Sequence, residues 1–150
     1  MKYFKFEEFV ESEVAQTYGI DNTPDDDAKE NILELADIMD RIREDWTACC
    51  DKMSYGSPAL IISSAYRSPE LNEKIGGAKK SAHQKGSACD IQPANDKTQE
   101  LFMFMQRWLF AHNVQYDELI IEKTKNTQWV HFAKKSYSGE YRHKIAELRK

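Results

Sequence analysis

The chain has 150 residues, enough for one compact domain with a core and too few for two ordinary ones, so residues 1–150 are read as a single domain. Charged residues make up 31% and hydrophobic ones 41%, which fits a globular protein and excludes a disordered chain. The formal net charge of −4 gives no broad basic field for nucleic acid, and no apolar run approaches the ~20 residues of a bilayer span; neither nucleic-acid binding nor membrane insertion is expected.

In chain order, "KYFKFEEFVESEVAQTYGI" brings Phe4, Phe6 and Phe9 beside acidic residues and reads as an N-terminal arm packed on the body. It turns acidic where a signal peptide would be apolar, so the protein is expected in the cytosol as synthesised. "DNTPDDDAKEN" is a turn whose aspartates offer N-cap oxygens. From Lys29 to Cys50, Ile32, Leu35, Met39, Ile42 and Trp46 recur at spacings of three and four and predict an amphipathic helix. Gly56 and Pro58 break it, and "ALIISSAYR" then has the β-branched character of a buried strand. "SPELNEKIGG" predicts a short helix, with Ser68 as cap and Pro69 in its first position, stopped by the glycine pair.

"TQELFMFMQRWLFAHN" is apolar around most of its circumference and predicts a central helix covered on several sides. "YDELIIE" and "QWVHF" predict two short strands joined by the turn "KTKNT". The charged "SYSGEYRHKIAELRK" is compatible with a docked helix or a mobile tail. This order predicts an α+β fold with helices packed on a small antiparallel sheet. Cys49, Cys50 and Cys89 are odd in number and two are adjacent, which fits reduced thiols used for packing.

Among the four histidines, His112 ends the apolar helix and His143 lies in the charged tail. His83 and Asp90 are seven apart in "SAHQKGSACD", around Gly86 and small residues, as a loop that folds back into a strand requires. His131 sits within the apolar "WVHF", a position where a lone histidine is more often a satisfied core residue than a ligand. Two imidazoles and a carboxylate make a three-ligand zinc sphere with a fourth position for water, the catalytic type of site.

"SAHQKGSACD" also resembles the SxHxxGxAxD signature of the zinc peptidases that include D-alanyl-D-alanine carboxypeptidases, vancomycin-resistance dipeptidases and phage L-alanyl-D-glutamate endolysins. Ser81, His83, Gly86, Ala88 and Asp90 match it. "SSAYRSPELNEKIGGAKKSAH", "FKFEEFVES" and "GIDNTP" are similar to the small phage and prophage branch, so the resemblance runs from Phe4 to about Phe132.

The resemblance implies the Hedgehog/DD-peptidase fold, Zn2+ as cofactor, and His83, Asp90 and His131 as its ligands. It implies that Arg67 holds a substrate carboxylate or oxyanion and that Ser81 hydrogen-bonds substrate. Gly86 and Ala88 would be small because the chain passes close to the metal loop. The implied partner is a peptidoglycan stem peptide, cut by a monomer after release from the cell or as part of a virion.

Better-known members carry an acid three residues before the last histidine, where this chain has Gln128. Glu122 is the candidate replacement, with Glu118 behind it. Glu122 shares the face of His131 if it pairs with Trp129, and the opposite face if it pairs with Gln128. Two rival readings follow: a zinc-containing module that binds wall peptide without cutting it, and a structural domain without metal.

Overall fold

The computed structural model describes residues 1–150. A 3-10 turn, Phe6–Phe9, and the short helix α1, Glu13–Tyr18, form the N-terminal arm. Phe4 and Phe9 are buried edge to face, with ring centroids 5.8 Å apart. Helix α2, Asp26–Met53, begins where Asp25 accepts a hydrogen bond from the Ala28 amide at 2.8 Å, and it ends at Ser54 in a left-handed conformation. It exceeds the predicted helix at both ends: the acidic first turn suits the N-terminal dipole, and the left-handed Ser54, whose amide donates to Cys50 O and Asp51 O, closes the last turn. Ile32, Leu35, Met39, Ile42 and Trp46 are fully buried, as their spacing predicts.

Strands β1, Leu60–Ser64, and β2, Ala88–Pro93, flank a segment holding the short helix α3, Pro69–Lys74, and a second 3-10 turn, Ala82–Lys85. Helix α4, Thr98–Ala111, follows, then β3, Glu118–Lys123, β4, Gln128–Ala133, and β5, Lys144–Arg149. The sheet order is β1-β2-β4-β3-β5. All pairs are antiparallel except β3 with β5. The fold is α+β on a mostly antiparallel sheet.

The C-terminal segment is neither a helix nor a mobile tail. Its main chain pairs in parallel with β3, from Glu118 opposite Lys144 to Lys123 opposite Arg149. Ion pairs replace an apolar signal: Lys123 Nζ lies 2.8 Å from Glu147 Oε1, and Arg142 grips buried Asp117 at 2.8 and 2.9 Å.

Alternation along the strands gives the sheet two unlike faces. Cys89, Ile91, Leu119, Ile121, Val130 and Phe132 point into the core shared with α2 and α4. Asp90, His131, Trp129, Glu118 and Glu122 belong to the other face. Cys50 and Cys89 are buried free thiols, and burial pushes both thiol pKa values up. No helix is long and apolar enough to cross a membrane.

Candidate metal centre

The loop carrying His83 is fixed before its side chain is considered. Ser81 Oγ accepts a hydrogen bond from the His83 amide at 3.2 Å, and Arg67 N donates to His83 O at 3.0 Å. Gly86 ends the turn in a left-handed conformation, φ 75°. A Cβ there would lie 2.6 Å from Ala28 O and 2.9 Å from Ile32 Cγ1, so this glycine is demanded by contact with α2. That corrects the expectation that Gly86 is small for the sake of the metal loop. Ala88 packs with Ala82 and Ala133 in a small buried cluster.

His83 is 2% exposed, and its Nδ1 lies 2.6 Å from Ala65 O. A carbonyl only accepts, so Nδ1 carries the proton and Nε2 is left as the free lone pair. Burial pulls the His83 pKa below its ordinary value, in keeping with a neutral ring. Nε2 faces Asp90 Oδ1 at 3.5 Å. Asp90 and His131 stand directly opposite on β2 and β4, which brings His131 Nδ1 to 2.9 Å from the same oxygen.

The three donor atoms lie within 4.8 Å of one another. Tetrahedral zinc with bonds of ~2.0–2.1 Å sets its donors about 3.3 Å apart, between the two shorter separations found here. The residues therefore fit a zinc ion. In its absence burial opposes a charge on His131, yet hydrogen bonds to Asp90 and Glu118 outweigh it and raise the pKa to about 9. Burial likewise opposes the Asp90 carboxylate, while His131 and His83 hold its pKa well below the usual range. The pocket is built to hold positive charge.

Arg67 is half-buried beside this site, and its Nε is buried without a hydrogen-bond partner. Burial lowers its pKa, opposed by the carboxylates of Asp90 and Glu122. Gly77, the second glycine of the pair, makes room for it: a Cβ there would meet Asn72 Oδ1 at 2.1 Å and Arg67 Nη1 at 3.0 Å. Asn22 was not foreseen. Its side chain donates to Val10 O at 2.7 Å and Tyr66 O at 3.2 Å and accepts from Ser68 N at 2.7 Å, fixing the residues on either side of Arg67. In the sequence Asn22 falls in a turn and in a segment of family resemblance without a role of its own; a side-chain amide able to donate and accept together is the available signal.

The register left open by the sequence is Glu122 opposite Trp129 and Ile120 opposite His131. Glu122 thus shares the face of His131. Trp129 Nε1 donates to Glu122 Oε2 at 2.8 Å, and Lys150 Nζ lies 3.0 Å from Oε1. Glu118 is on the same face, its Oε1 3.5 Å from His131 Nε2. Gln128 pairs with Lys123 and shares the face of Val130 and Phe132, away from the candidate metal ligands.

The model of the family described as Peptidase M15 matches residues 2–133. The chain belongs to Peptidase M15. At family level this is a metallopeptidase, and His83, Asp90 and His131 form a group that could hold a metal ion. No individually curated protein matches the chain. The match to Peptidase M15 runs from the N-terminal arm to the last residue of β4, so β5 lies beyond it.

Proposed function

We propose that this M15 protein hydrolyses an amide bond in peptidoglycan stem peptides, as a D,D-carboxypeptidase or an L-alanyl-D-glutamate endopeptidase, in a phage or prophage setting. The observation that carries the reading is the convergence of His83 Nε2, Asp90 Oδ1 and His131 Nδ1 on one side of the sheet, with Glu122 and Arg67 beside them. These three ligands would hold zinc, which when bound activates water and polarises a carbonyl.

The protein's own groups supply the rest. Glu122, held by the Trp129 indole, takes the proton of the attacking water and returns it to the leaving amine. Arg67 presents a planar pair of donors to a substrate carboxylate or to the developing oxyanion, strengthened by its partial burial. Ser81 Oγ accepts from the His83 amide, which leaves its own proton for a substrate carbonyl. A groove of about 820 Å³, lined by β1, the N-terminal arm and α3, opens beside Arg67 and offers room for an extended peptide. The enzyme acts as a monomer, reaching the wall after release from the host cytosol or from a virion.

A second reading, a wall-peptide-binding module without hydrolysis, draws on Gln128 and on the Lys150 ion pair that engages Glu122. Digestion of purified peptidoglycan with and without chelator, followed by mass analysis, separates the two. Chelator-sensitive release of D-alanine, or a cut after L-alanine, supports the peptidase and names the bond. One bound zinc per chain with no released fragment supports the module.

A further inference from the structure

A histidine has two ring nitrogens, and a metal site must decide which of them faces the ion. For His83 the Ala65 carbonyl decides it. For His131 the nitrogen turned away from Asp90 faces Glu118, whose Oε1 lies 3.5 Å from Nε2. Glu118 in turn is held from its other oxygen: Arg142 Nη2 and Lys144 Nζ each lie 3.7 Å from Oε2. Arg142 is itself anchored, since buried Asp117 accepts from its Nε at 2.8 Å, its Nη2 at 2.9 Å and its amide at 3.2 Å. Lys144 is fixed by the parallel ladder, in which its amide donates to Asp117 O at 2.8 Å and it stands opposite Glu118.

We propose that Glu118 is a positioning residue of the metal centre, and that the C-terminal segment carrying Arg142 and Lys144, beyond the family match, sets it in place. Glu118 orients the His131 ring with Nε2–H toward itself and Nδ1 toward the ion; it does not serve as the base. The inference rests on the reading of His83, Asp90 and His131 as zinc ligands. It makes β5 and the residues before it part of the site rather than an appendage.

The test measures zinc affinity of the full-length protein by competition with a chromophoric chelator. Glu118→Ala is expected to weaken zinc about 10- to 100-fold, and Glu118→Gln, which keeps an acceptor oxygen, to recover most of that loss. Arg142→Gln is expected to weaken zinc in the wild-type background and to add nothing in Glu118→Ala. Melting of each chelated variant checks that the protein is folded at the assay temperature.

Unchanged affinity in Glu118→Ala overturns the inference, as does an Arg142→Gln effect of equal size in both backgrounds. A wild-type protein that takes up no zinc overturns the metal reading as well, and so is told apart. Should Glu118→Ala fail to fold, nitrogen-15 spectra of the zinc-loaded wild type decide. Nε2–H with metal-bound Nδ1 on His131 supports the assignment, and the reverse tautomer sinks it.

Discussion

On one side of the sheet Ile91, Leu119, Ile121, Val130 and Phe132 are sealed against α2 and α4; on the other, Asp90, His131, Glu118 and Glu122 form a cluster of charge, with Arg67 near enough to feel Asp90 and Glu122. The two sides alternate residue by residue along the same strands. Dispersion and water exclusion hold the first and tolerate some exchange of apolar shapes. Paired charges and directed lone pairs hold the second, where Asp90, His131, Glu118 and Glu122 each have a named partner and Arg67 Nε has none. Stability should therefore be concentrated on one face and chemistry on the other.

The largest expected effect comes from Asp90→Ala, which removes the oxygen shared by both histidines: bound zinc by metal analysis and peptide hydrolysis should both fall to background. Glu122→Gln should lower kcat/KM by about 100- to 10,000-fold through loss of the base, with thermal stability and zinc content retained. If hydrolysis survives, the proton goes elsewhere. Trp46→Ala, on the sealed face, should cost about 3–5 kcal/mol in denaturant unfolding, while zinc affinity of the folded protein stays unchanged.

Gly77→Ala should cost about 1–3 kcal/mol and raise KM, because its methyl group meets Asn72 and the Arg67 guanidinium. The gentlest perturbation is pH. In chelated protein the His131 pKa of about 9 exceeds its ordinary 6.5, so its stabilising contribution is complete below pH 6.5 and lost as pH rises through about 9. Melting curves across that range should decline with chelator and hold steady with zinc, which displaces the proton.

What the sequence displayed follows the same division. The sealed face was legible because burial leaves an apolar signature: Ile32 to Trp46 at spacings of three and four, and short apolar runs in "YDELIIE" and "QWVHF". His83 and Asp90 stand out as candidate ligands because "SAHQKGSACD" sets them close together among small residues, whereas His131, inside an apolar strand, carries no such signal of its own. The register of β3 on β4 was not legible, since sliding one strand by a residue leaves each strand's own pattern intact. The parallel strand β5 escaped notice because main-chain bonds and ion pairs make it, and Lys144, Glu147 and Arg149 carry no apolar period. Gly86 was visible as a motif glycine, but its reason, an α2 carbonyl 2.6 Å from the absent Cβ, lies more than fifty residues upstream.

The alternation also bears on the fate of Cys89, which immediately precedes Asp90 in β2. A thiol one residue from a candidate metal ligand invites oxidation to a sulfenic acid, or capture of a softer metal. Both need a thiolate that solvent can reach. The pleat turns this sulfur into the core, where it is fully buried and burial opposes its ionisation. Neighbours in sequence thus live in separate solvents, and the chain can carry a cysteine beside a candidate metal ligand without exposing its sulfur to oxidants in solution.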